Sequence, residues 1–166
     1  MVPAGTAGAL FFIIAGARNT VLREIRLGRI MGVDYGLKRI GVAMTDILQI
    51  MASPFDTIDG GGSVKKDAEK IAAMAKDNDV SLIVVGVPVN MNGTEGEMAQ
   101  TVRKFIEEIK KISGIRIFEI DERLTTAQAE RMLIDEGGVS RQKRKGLKDK
   151  LAASFILQTY LDTKGF

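Results

Sequence analysis

Apolar and polar positions divide the chain after residue 28 into a regular series of elements. Ile30, Met31 and Val33 form a short apolar run that stops at Asp34. Gly36 opens a turn, where a missing Cβ permits backbone angles closed to other residues. Ile40, Val42 and Met44 then alternate with small residues, the period of a strand. Met51 to Ile58 reads as a third strand, and Pro54 inside it removes a backbone donor and points to a sheet edge. Gly60-Gly61-Gly62 is a loop. Ser63 is a suitable N-cap for an amphipathic helix to about Asp77, with Val64, Ala68, Ile71, Ala72 and Ala75 on one face.

Ser81 to Val87 is almost continuously apolar, as expected of a strand buried on both faces of a parallel sheet. Val89 to Gly96 is a polar loop. Glu97 to Ile112 forms a second helix, with Val102, Phe105, Ile106 and Ile109 on one face and Gly114 as its C-terminal cap. Ile115 to Ile120 is a fifth strand. Thr125 to Glu136 is a third helix, with Thr125 and Gln128 at capping-box spacing. Gly137 to Gly146 is expected to be a loop, and Leu147 to about Leu161 a final helix. A three-strand meander followed by strand–helix alternation predicts an α/β protein with a mixed five-stranded sheet and helices on its faces. In such sheets, sites gather at the carboxyl ends of the parallel strands.

Residues 1–28 depart from this pattern. Ala7 to Ala17 is an apolar run of eleven residues, too short to span a bilayer as a helix. It is like the apolar part of a signal peptide, but no Lys or Arg precedes it. The expectation is an N-terminal extension, 1–28, outside the core, and one domain at 29–166. The whole chain, 166 residues, is one domain's worth. The extension also distorts the charge balance. The net charge of +3 equals that of residues 1–30, where Arg18, Arg23, Arg26 and Arg29 face Glu24 alone.

Composition narrows the chemistry. There is no cysteine and no histidine. Disulfides, thiolate metal sites, His-based zinc sites and His-dependent triads are therefore excluded. Any catalysis must rest on carboxylates, Lys, hydroxyls or a cofactor. Carboxylates are hard ligands suited to Mg²⁺ or Mn²⁺. No P-loop is present, since Gly60-Gly61-Gly62 lacks a following Lys-Ser/Thr.

Asp34 ends an apolar strand, where it either caps the turn or ligates a metal. Asp121-Glu122-Arg123 follow the fifth strand. If that strand is parallel to the first, these acids share a rim with Asp34. They are otherwise loop carboxylates, paired with Arg123 or placed near the next helix's N-terminus. In the last helix Asp149 keeps register with Ala152, Ala153, Ile156, Leu157 and Tyr160. That is the face that should pack on the sheet, where a charge is rarely buried without a partner. A structural ion pair with Arg123 or Lys38 is the alternative to a metal site. Gly138 to Lys150 holds Arg141, Lys143, Arg144, Lys145, Lys148 and Lys150 against Asp149. Beside carboxylates, such a cluster suits a phosphate backbone, which cations contact without reading sequence. Asn92, in Met91-Asn92-Gly93-Thr94, lies on the same presumed rim, as a substrate contact or as part of an ordinary turn.

The segments GVDYGLKRIGVAMTD, GVPVNMNGTEG, DERLTTAQAE, SRQKRK and DKLAASFILQTYL, in this order and spacing, resemble the RuvX/YqgF family of RNase H-like proteins. The resemblance covers about Ile30 to Leu161. It implies an RNase H-like fold and a bacterial, cytoplasmic protein. The family is described as pre-16S rRNA nucleases and, under an older name, Holliday junction resolvases. An acidic triad of Asp34, Glu122 and Asp149 is implied as catalytic group and as ligands of Mg²⁺ or Mn²⁺. The choice of Glu122 over Asp121 comes from the resemblance alone. Lys38, Arg39, Asn92, Arg123, Arg141, Lys143, Arg144 and Lys145 are the expected nucleic-acid contacts. The expected partner is structured RNA, with branched DNA as the alternative and no membrane, for a monomer or a homodimer. A non-catalytic ribosome-maturation factor is the competing class. A sugar-kinase-like ATPase shares the D-x-G turn but needs a second lobe.

Overall fold

The computed structural model describes the backbone of residues 28–125 and 141–164, and the side chains of 28–125 and 151–163. The strands are β1 (Arg29–Tyr35), β2 (Arg39–Thr45), β3 (Ala52–Asp59), β4 (Val80–Val87) and β5 (Arg116–Asp121). The helices are α1 (Val64–Asp77), α2 (Glu97–Ser113) and α3 (Arg141–Lys164). The sheet order is β3-β2-β1-β4-β5. β1 pairs antiparallel with β2, and β2 with β3, while β1–β4 and β4–β5 are parallel. This is the mixed five-stranded sheet that the meander and the alternation predicted.

Strand alternation divides the core into two layers. Met31, Val33 and Tyr35 of β1, Ile83 and Val85 of β4, and Ile40 and Val42 of β2 pack with Ile71 of α1 and Phe105 and Ile109 of α2. Each such large apolar side chain contributes roughly 1.5–3 kcal/mol when fully buried. The opposite face, with Ile30, Ala43, Val84 and Ile120, packs against Ala153, Ile156, Leu157 and Tyr160 of α3. There α3 comes very close to β1. A Cβ on Gly32 would stand 2.7 Å from both the Ala153 carbonyl oxygen and the Leu157 Cβ. Only a residue without a side chain leaves the helix that near.

The caps follow the sequence. Ser63 Oγ accepts the Lys66 N–H at 3.2 Å, and Gly114 ends α2 with φ of 62°. β3 is the edge strand. Its register slips opposite Val42 and Ala43, which pair with Asp56 and Pro54 and leave Phe55 unpaired. Pro54 thus sits beside a bulge on an edge, where its missing N–H disturbs no interior ladder.

Three expectations change. β1 does not stop at Asp34 but continues to Tyr35, whose buried ring extends the apolar alternation by one step. The segment at 141–145, expected as a loop, is helical, because α3 already starts at Arg141. Arg, Gln and Lys are good helix formers, and the single Gly146 costs only about 1 kcal/mol. Thr125 does not cap a helix. The chain is helical from 122, and the Thr125 hydroxyl donates to the Glu122 carbonyl at 2.8 Å. Asp121 takes the capping place, with Oδ1 accepting the Arg123 N–H at 2.9 Å. The remainder of the helix expected at 125–136 lies outside the described residues, as does the 1–27 part of the extension. Among the described residues no helix is long and apolar enough to cross a membrane.

Candidate active site

The parallel pairing of β1, β4 and β5 brings their carboxyl ends to one rim. Val33 pairs with Val85, and Val87 with Asp121, so Asp34 and Glu122 leave the sheet at similar heights on either side of β4. Both lie on the α3 face. An ideal Cβ on Gly41, the partner of Asp34 in β2, would be 3.6 Å from the Asp34 Cβ and 3.6 Å from the Ala153 Cβ. Across the sheet, Glu122 reaches over Gly86 of β4. A Cβ on Gly86 would stand 2.9 Å from Glu122 Oε1 and 2.6 Å from Ile156 Cδ1. Gly86 therefore provides a bare patch of backbone on which the Glu122 side chain rests.

Burial and repulsion act together on this group. The Glu122 carboxyl is pushed up to about 7, first by its burial, then by the charge of Asp34, then by that of Asp121. Asp121 behaves oppositely. Arg123 grips it from Nε at 2.9 Å and from Nη2 at 2.6 Å, which holds its carboxyl below the usual range. The two adjacent acids thus divide their roles. Asp121 is engaged by Arg123, and Glu122 is the one whose charge feels Asp34.

Asp149 belongs to α3 and stands one helical turn before Ala153, the residue beside Gly41 and Asp34. Its side chain lies outside the described residues, as do those of Arg141, Lys143, Arg144 and Lys145. Among the described residues no group of three or more acidic side chains is arranged to hold a metal ion. The pair Asp34–Glu122 fits a divalent cation nonetheless. Both are half-buried hard oxygen donors, and the Glu122 carboxyl is held toward its neutral form by burial first and then by the charge of Asp34, which a bound cation would offset.

The same rim carries the other expected residues. Lys38, in the β1–β2 turn, and Arg39, the first residue of β2, are exposed. Asn92 is exposed beyond β4, but its Oδ1 accepts from the Thr94 N–H at 3.0 Å and from the Thr94 hydroxyl at 2.6 Å. It therefore shapes its own turn, which Gly93 closes at φ of 82°. Arg123 is exposed while bound to Asp121. Gly86 was missed by the sequence reading, although a glycine inside an apolar strand run is a signal of close approach.

A family model, RuvX, described as Holliday junction resolvase, matches residues 28–163. A protein of Endomicrobium trichonymphae named "Putative pre-16S rRNA nuclease" is 65% identical over 136 residues, 82% of this chain and 96% of that one. One of the same name from Thermoanaerobacter pseudethanolicus is 47% identical over 136 residues, 82% of this chain and 97% of that one. Among solved structures, T. thermophilus RuvC in complex with a Holliday junction substrate aligns with a TM-score of 0.49 and 15% identity, over 82% of this chain and 96% of that one.

Proposed function

The chain belongs to the RuvX family, and from that premise we propose that it is a divalent-metal-dependent nuclease of structured nucleic acid, acting on the precursor of 16S rRNA in ribosome maturation. The observation that carries this reading is Glu122 lying on the bare backbone of Gly86, its carboxyl pushed up to about 7 by burial and by the charge of Asp34. Asp34, Glu122 and Asp149 are the residues that would hold Mg²⁺ or Mn²⁺, whose chemistry when bound is to activate water and stabilise the leaving oxygen of a phosphodiester. The protein's own part is to fix the carboxylates. β1 sets Asp34, the Gly86 notch seats Glu122, and α3 carries Asp149 past the same rim. Arg141, Lys143, Arg144 and Lys145 at the start of α3, with Lys38, Arg39 and Arg123, contact the phosphate backbone. Asn92 serves by shaping the turn beside them. Precursor 16S rRNA is the substrate in the relatives' names, and a cytoplasmic location belongs to the same reading.

The family description favours branched DNA as the second substrate. Cleavage of precursor 16S rRNA and of a four-way DNA junction, each with Mg²⁺, with Mn²⁺ and with chelator, tests both. Metal-dependent cleavage of the RNA, lost in Asp34→Asn, is the expected result. Cleavage confined to the junction would replace the substrate, and no cleavage of either would leave a binding protein.

A further inference from the structure

Tyr35 follows Asp34 but lies on the opposite face of the sheet, as strand alternation requires. Its ring stacks on Phe105 of α2, with centroids 4.2 Å apart and planes at 23°. Its hydroxyl donates to Asp67 Oδ2 at 3.1 Å. Asp67, in the first turn of α1, is only 1% exposed. The same Oδ2 accepts the Gly61 N–H at 3.4 Å, and Lys70 Nζ stands 4.0 Å from Oδ1.

The loop that Asp67 holds is itself clasped to the β1–β2 turn. The Gly60 N–H donates to the Lys38 carbonyl at 3.0 Å, and the Gly36 N–H to the Arg39 carbonyl at 3.0 Å. A Cβ on Gly60 would stand 3.0 Å from the Gly36 carbonyl oxygen and 3.3 Å from that of Leu37. One buried carboxylate thus joins the last residue of β1, the 60–62 loop and, through the loop, the turn bearing Lys38 and Arg39. Packing alone does not call for this. A phenylalanine would make the same ring stack, and an apolar residue in place of Asp67 would avoid burying a charge.

We propose that Tyr35 and Asp67 are positioning residues, which fix Asp34 and the Lys38–Arg39 turn at the rim from the far side of the sheet. Its kinetic consequence rests on the nuclease reading; its structural consequence does not. Misplacing a reacting group by about 1 Å can lower a rate roughly 100-fold, so a partial loosening here should cost a measurable share of turnover.

The test compares Tyr35→Phe, Asp67→Ala, Asp67→Asn and Ile109→Val in the full chain. Tyr35→Phe removes the hydroxyl and keeps the stack. Asp67→Asn keeps an acceptor oxygen for Tyr35 and Gly61. Ile109→Val lowers stability from the same core layer on α2 but touches none of the clasp's hydrogen bonds. We expect hydrogen exchange at the Gly36 and Gly60 amides to quicken roughly tenfold in Tyr35→Phe and Asp67→Ala, with β4 and α2 unaffected. kcat for metal-dependent cleavage should fall roughly tenfold at little change in KM. Asp67→Asn should restore most of both, and Ile109→Val should alter neither. Uniformly faster exchange, or Asp67→Asn no better than Asp67→Ala, would overturn the proposal. If Asp67→Ala does not fold, Tyr35→Phe and Asp67→Asn decide the matter. If the wild type cleaves nothing, the nuclease reading fails, while exchange at Gly36 and Gly60 still decides the clasp.

Discussion

Glu122 rests on Gly86: a single Cβ on that glycine would stand 2.9 Å from the carboxylate oxygen and 3.1 Å from the Cγ of the same side chain. It would also meet Ile156 Cδ1 at 2.6 Å. Gly86→Ala therefore forces either α3 or Glu122 to move. Overpacking of this kind costs roughly 1–3 kcal/mol. The variant should melt lower and lose cleavage out of proportion to its stability, because the alanine enters the seat of a proposed metal ligand. Melting curves and cleavage at a temperature where both proteins are folded check this. Full cleavage would mean that Glu122 need not lie on β4.

Glu122 also ties stability to pH. Its carboxyl titrates near 7 in the folded protein and near 4.5 in the unfolded chain. Between those values the folded state binds the extra proton, so this group's contribution is complete below about 4.5 and is lost as pH rises through about 7. The shift corresponds to no more than about 3 kcal/mol, which water at this partly exposed site lowers to ~1–2 kcal/mol. Glu122→Gln should gain on the wild type as pH rises from 5 to 8 in chelator. Urea unfolding at several pH values measures this, and a constant difference between the two proteins would contradict it.

The family match begins at residue 28, one residue before β1 opens at Arg29. Residues 1–20 are accordingly expected to be dispensable for the fold. A protein starting near Val21 should melt within a few degrees of the full chain. A collapse of the shorter protein would make the N-terminal segment part of the core.

Arg141, Lys143, Arg144 and Lys145 now fall within α3 rather than in a loop, which places them on the helix that carries Asp149. Replacing all of them with Gln should weaken binding to RNA and to DNA alike and flatten its dependence on salt, since fewer counterions are released on binding. An unchanged slope of log affinity against log salt would assign the main contact to another surface, such as the Lys38–Arg39 turn.

Periodicity made the sheet and its helical layers readable, because each element buries one consistent face. Ile71, Ala75, Phe105 and Ile109 are buried as their spacing predicted. The site was less legible. That Asp34 and Glu122 share a face depends on register across β1, β4 and β5, which no local pattern contains. The residues alone did not separate Asp121 from Glu122; the family resemblance chose Glu122, and the Arg123 grip on Asp121 appears only in the fold. The helical start at Arg141 was hidden because a run of charges reads as solvated loop, although those residues favour helix. Asp67 stands outside the apolar set that the helical spacing picks out, and its burial under Tyr35 follows from tertiary packing.

Asp149 is the residue on which the nuclease reading most depends. It keeps the register of Ala153 and Leu157, which lie against Gly41 and Gly32. A third carboxylate near Asp34 and Glu122 would add repulsion in the absence of a cation. Divalent metal relieves that repulsion and, by binding only the folded state, raises stability through mass action. Asp149→Asn keeps the shape and removes one charge. It should fold, be at least as stable as the wild type in chelator, and lose most of the stabilisation by Mg²⁺ or Mn²⁺. Cleavage should fall by orders of magnitude. A structural ion pair would give the reverse pattern. Removing the anion would leave a buried cation unmatched, so the variant would melt lower in chelator and respond to metal as the wild type does. Melting curves of the two proteins with and without metal distinguish these outcomes before any substrate is tried.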